Sequence, residues 1–154
     1  MIKLTNEIIA YTAGLLDGEG CIRIESGSGG KRSINVSYWL RVSIANTDKN
    51  VILWLKDKFG GTFYTAEHKN NSNWKICYTW RISSVEACKF LKLIQPYVQI
   101  KKEQVKVAIA FQEEKSNFKN PHPGSGTPID EVNKRQSVKL QLTELKRQTG
   151  GYYI

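Results

Sequence analysis

The hydrophobic positions of this chain change period in a regular succession. From Thr5 to about Gly18 they recur at helical spacing, with Thr5 placed to cap the first turn. "CIRIES" then alternates as a strand does, and "GSGGK" reads as a turn. From Ser33 to Ala45 alternation is unbroken. Ile34, Val36, Tyr38, Leu40, Val42 and Ile44 fall on one side; Ser33, Asn35, Ser37, Trp39, Arg41, Ser43 and Ala45 fall on the other. Thr47 or Asp48 caps a short helix, "KNVILWLKDKF", closed by Gly60 and Gly61.

Two more strands, "TFYTAEH" and "WKICYTWRI", flank the turn "KNNSN". The second alternates Trp74, Ile76, Tyr78, Trp80 and Ile82 against Lys75, Cys77, Thr79 and Arg81. Ser83 with Glu86 forms a capping-box pattern for a helix that must end before Pro96. Another helix, about 101–116, carries Val105, Ala108, Ile109 and Gln112 on one side. "NFKNPHPGSGTP" is a loop, and Thr127-Pro128 opens a last helix at about 128–149. The order helix-strand-strand, helix-strand-strand, then helices predicts one α+β domain spanning 1–154: four antiparallel strands with helices on one face and the other face open.

Length and charge sharpen this. At 154 residues and 40% hydrophobic content the chain suits one core, and a formal charge of +9 points to a polyanionic partner. No apolar run reaches the roughly 18 residues of a membrane span, and Glu7 interrupts any signal-peptide core. No membrane partner, export or small-molecule cofactor is expected. Three cysteines without a CxxC pair, and His68 and His122 far from them, argue against structural zinc or a disulfide framework. The open face, with Arg23, Glu25, Ser33, Asn35, Ser37, Trp39, Arg41, Ser43, Lys75, Thr79 and Arg81, is poor in acids and suits the base edges of double-stranded DNA.

The first helix has two packing sides. Ile8, Ile9, Tyr11, Leu15 and Leu16 lie on one, and Ala10, Ala13, Gly14 and Gly18 on the other. Glycine inside a helix costs about 1 kcal/mol relative to alanine, so the small stripe calls for a closely approaching second helix, that of another copy of the chain. Asp17 and Glu19 then gather at the joined helix ends. They either simply finish the helix and turn, or they hold a divalent cation, for which carboxylate and carbonyl oxygens are suitable donors.

"TAGLLDGEG" (12–20) resembles the LAGLIDADG motif of homing endonucleases: it matches at Ala13, Gly14, Leu15, Asp17 and Gly20, conservatively at Leu16 and Glu19, and departs at Thr12 and Gly18. The order of elements that follows resembles that family over most of the chain. The resemblance implies the αββαββα saddle fold and, with one motif, a homodimer meeting at Ala10, Ala13, Gly14, Asp17 and Gly18. It implies an intron-encoded hydrolase making a metal-dependent double-strand break in a long, pseudo-palindromic site. Glu19, with the Gly18 carbonyl, is then the ligand of Mg2+, for which Mn2+ can substitute, and Asp17 supports the helix end. Lys101 in "QPYVQIKKEQ" takes the place of the lysine near the scissile phosphate, with Lys102 as fallback. Ala45 departs from the family's water-organising residue, leaving Asn46 as substitute and Lys49 as a nearby basic group. An RNA maturase or a cleavage-inactive DNA-binding regulator are the alternatives. Localisation is expected to be intracellular, with the host genome, in an organelle or a prokaryotic cytoplasm.

Overall fold

The structure, a computed structural model, describes residues 3–28, 36–66 and 73–149. The elements run α1 (Asn6–Glu19), β1 (Gly20–Ser28), β2 (Val36–Asn46), α2 (Lys49–Phe59), β3 (Thr62–Ala66), β4 (Cys77–Ser83), α3 (Ser84–Ile94), a 3-10 turn (Gln95–Tyr97), α4 (Lys102–Asn117) and α5 (Ile129–Thr149). The four strands form one antiparallel sheet in the order β1-β2-β4-β3. All five helices lie on one side of it, which is the α+β saddle arrangement.

Alternation fixes which face is covered. Ile22, Ile24, Tyr38, Leu40, Val42, Ile44, Trp80 and Ile82 are buried beneath the helices, joined by Leu16, Ile52, Leu55, Leu91, Ile94, Val105 and Leu142. The helix ends follow local chemistry. Thr5 accepts from the Ile8 N–H and Asp48 from those of Asn50 and Val51. Gly60 and Gly61, with φ of 72° and 84°, close α2 in the left-handed region. A side chain on Gly61 would also press within 2.5 Å of the Arg81 carbonyl oxygen.

Four local expectations need correction. Tyr11 is 54% exposed, lying edge-on to Trp54 rather than in the core. Ala13 is fully buried in the subunit's own core, so it is not part of an exposed stripe. β4 begins at Cys77, paired with Ala66, and Trp74 and Ile76 before it are exposed. The Ser83 hydroxyl makes no capping bond: the chain passes from β4 into α3 through Ser84 at φ 54°, and Glu86 pairs with Lys89 at 3.0 Å instead. The C-terminal helix forms where the Thr127-Pro128 signal places it. It is seated by Leu142 and by the Tyr38 hydroxyl donating to Gln136 at 2.8 Å.

Candidate functional site

The end of α1 gathers the chemistry. Residues 17–20 carry the chain from helix into β1 with an ordinary extended conformation at Gly20 (φ −87°, ψ 157°). Glycine is required there for space: a Cβ would sit 2.6 Å from the Leu16 carbonyl oxygen and 2.8 Å from its Cα. The close approach lets the Gly20 N–H donate to that same carbonyl and holds Asp17 and Glu19 apart in role.

Asp17 turns its carboxylate to backbone. Oδ2 accepts from the Gln99 N–H at 2.8 Å, and Oδ1 accepts from those of Ile100 and Lys101 at 3.1 Å each. The segment entering α4 is thereby pinned to α1, in agreement with a supporting role for Asp17. Lys101, brought over in this way, donates its ammonium to the Leu16 carbonyl at 2.9 Å and the Asp17 carbonyl at 2.6 Å. Both carbonyls lie in the last turn of α1, at the negative end of the helix dipole, and that of Leu16 accepts from the Gly20 N–H as well. Burial pushes the Lys101 pKa below its ordinary value, against the opposing pull of Asp17. Lys102 is exposed on the first turn of α4, outside this arrangement.

Glu19 is exposed, and its Oε2 accepts a short hydrogen bond from the Asn46 amide. Asn46 is itself held, its Oδ1 accepting from the Asp48 N–H at 2.7 Å. The ends of α1 and β2 and the start of α2 thus meet at one carboxylate. Lys49 lies near this junction, its ammonium 5.9 Å from the Tyr78 ring centre. Carboxylate and carbonyl oxygens are the donors a hard divalent cation takes, and Gly18 presents its carbonyl in the last helical turn. Among the described residues of one chain, no three His, Cys, Asp or Glu side chains converge. Within one chain, Glu19 is therefore not joined by two further side chains of these types.

The exposed side of α1 leaves open space beside this site. Gly14 and Gly18 are exposed, and a Cβ on either would find nothing within 4 Å. Nothing in their own subunit requires them to be glycine. Ala10 lies beside them, partly exposed.

On the open sheet face, Arg23 pairs with Arg41, Glu25 with Trp39 and Ser43 with Arg81 in register. Glu25 forms a close ion pair with Arg41 and lies 3.8 Å from Arg23. Arg41 also lies over Trp39, 5.8 Å from the ring centre. Arg81 instead rests on the ring of Tyr64, 4.7 Å from its centre. The Thr62 hydroxyl and the Arg81 guanidinium hold the Tyr64 phenol below its usual pKa. Thr79 and Ser37 share this face, and Lys75 precedes β4. Ser33 and Asn35 lie outside the described residues. Tyr64 and Thr62 are members of the face that the sequence reading omitted, although "TFYTA" alternates and β3 pairs with β4 in a register that signals them.

A family profile described as LAGLIDADG endonuclease matches residues 12–114. Among solved structures, the chain resembles an archaeal intron-encoded homing endonuclease, I-Vdi141I, complexed with DNA (TM-score 0.68, 18% identity, 89% of this chain and 82% of that one). It resembles the homing endonuclease I-TnaI with a TM-score of 0.66 and 14% identity, over 96% of this chain and 99% of that one. I-GzeII, a LAGLIDADG homing endonuclease in complex with its DNA target, aligns with a TM-score of 0.67 at 12% identity; 91% of this chain covers 48% of that one. No curated protein matches.

Proposed function

The chain belongs to the LAGLIDADG endonuclease family, and on that premise we propose that it is a homodimeric homing endonuclease that cuts both strands of a long, partly palindromic DNA site. The observation that carries this reading is the pairing of Glu19 with Asn46 at the end of a helix whose exposed side is glycine. Two such helices in contact bring two Glu19 carboxylates and two Gly18 carbonyls to a shared centre, a donor set that suits Mg2+ or Mn2+. An ion held by these oxygens would supply an acidified water and charge stabilisation for the leaving oxygen.

The remaining work falls to the protein. Asn46 fixes the Glu19 carboxylate, and Asp17 holds the backbone that carries Lys101. The ammonium of Lys101, with two of its three N–H bonds committed to carbonyls, keeps its charge beside the junction to offset charge building on the phosphate. The sheet faces the major groove, where Arg23, Glu25, Trp39, Arg41, Ser43, Thr79 and Arg81 meet base edges, while Lys49, Lys75 and Lys102 meet phosphates. The protein acts wherever the genome carrying its site resides, inside the cell.

The test is selection for cleavage from a randomised duplex library, with Mg2+ and with chelator. The reading expects metal-dependent double-strand breaks at one partly palindromic site. Cutting that survives chelation would overturn the metal assignment, and a footprint on one half-site would overturn the dimer. Binding to that library without any cutting would favour a regulator, and selective binding of structured RNA would favour a maturase.

A further inference from the structure

A cavity of about 260 Å³ opens at the end of α1, lined by Asp17, Gly20, Cys21, Ile100, Lys101, Gln104 and Lys146. Lys146 comes from α5, which lies wholly beyond the 12–114 family match. The helix is fixed against β1 and β2 by buried Leu142, by Gln136 on Tyr38, and by the Lys139 ammonium donating to Ser26 at 2.6 Å. One turn past Leu142, Lys146 reaches the start of β1, where its Nζ lies 3.5 Å from the Cys21 thiol.

The two ammonium groups of the cavity are differently engaged. Lys101 gives two hydrogen bonds to helix carbonyls. Lys146 has a thiol as its acceptor, and a thiol accepts weakly. Asp17, the one carboxylate among the described lining residues, already accepts three backbone N–H bonds. The described lining therefore sets two ammonium groups against one carboxylate, next to the Glu19 end of α1.

We propose that Lys146 is a DNA-phosphate-binding residue of the cleavage site, contributed by the C-terminal helix to the cavity it shares with Lys101. The assignment rests on the endonuclease reading above. A phosphodiester oxygen at the cavity mouth takes the place of the thiol as acceptor for Lys146, and Lys101 keeps its bonds to α1. The C-terminal helix then ties cleavage to the seating of the DNA backbone.

The experiment compares the full-length protein with Lys146→Gln, Lys146→Met and Lys146→Arg. The salt dependence of duplex binding and the single-turnover cleavage rate are both measured, with thermal melting as a folding control. Each lost phosphate contact reduces the slope of log K against log salt by about 0.9. The Gln and Met variants are expected to lose about that much per subunit and to cleave roughly tenfold more slowly or worse, with Arg restoring the slope. An unchanged slope in either uncharged variant that melts normally overturns the assignment, whatever the rate. Because the slope is read on any duplex, it is decided even if the protein cuts no DNA, an outcome that would count against the endonuclease reading instead.

Discussion

Asp17 and Lys101 hold each other by their backbones: the Asp17 carboxylate accepts the Lys101 N–H at 3.1 Å, and the Lys101 ammonium donates to the Asp17 carbonyl at 2.6 Å. The pair clasps α1 to the start of α4 across 84 positions of sequence. Breaking it affects both fold and site. Asp17→Ala leaves three N–H groups without their acceptor and is expected to cost about 2 kcal/mol in urea unfolding. It also frees Lys101, so cleavage should fall further than stability explains. Asp17→Asn, which keeps one acceptor oxygen, should lie between the two.

Burial lowers the Lys101 pKa in the folded protein below its ordinary value of 10.5. Between the folded and unfolded values the unfolded chain binds more protons, so stability rises with pH across that alkaline window and the cost of burying the charged form is relieved. Lys101→Met should remove this rise. Parallel melts of wild type and variant up to pH 10.5 measure it; identical pH profiles would contradict the assigned shift.

The two kinds of glycine in α1 and at its end should separate on substitution. Gly20→Ala drives a methyl into Leu16 and should destabilise the subunit by about 1–3 kcal/mol. At Gly14 an added Cβ meets nothing within 4 Å in its own chain, so Gly14→Leu should fold normally yet sediment as a monomer. A dimeric Gly14→Leu variant would place the interface elsewhere.

Much of this was legible in the sequence because alternation and capping are local. The strand faces of β1 and β2, the Asp48 cap and the extent of α5 follow from neighbouring residues. The motif nominated Glu19, and the resemblance of "QPYVQIKKEQ" to the family's lysine region nominated Lys101, whose ammonium the structure brings to the end of α1. What was not legible depends on distant partners. The wheel of α1 sets Ala13 beside Gly14, but the packing of α3 and β2 decides which of the two is covered. Periodicity continues through Trp74 and Ile76, yet both are exposed and the strand begins only at Cys77. Lys146 carries no local signal, since its position is set by the docking of α5 onto β1.

The open face makes unequal use of its arginines. Arg41 is neutralised by Glu25, whereas Arg81 is backed by a tyrosine ring and has no carboxylate partner among the described residues. A planar guanidinium held this way suits the O6 and N7 of guanine. Arg81→Ala should therefore weaken binding to the selected site by about 1–3 kcal/mol and relax base preference at one position per half-site. Equal weakening on all sequences would reduce Arg81 to a phosphate contact. Tyr64→Ala should reproduce part of the relaxation, read by the same binding profile on single-base variants of the site.

In the proposed mechanism, Glu19 holds the ion on which cleavage depends while the rest of the fold binds DNA. Glu19→Gln keeps the size of the side chain and an acceptor for the Asn46 amide but removes the charge. Measured on the selected duplex in Mg2+, the variant should bind within about threefold of wild type, a difference well under 1 kcal/mol, and leave both strands uncut. A Glu19→Gln protein that still cleaves both strands would show that the Glu19 carboxylate is not the ligand on which cleavage depends.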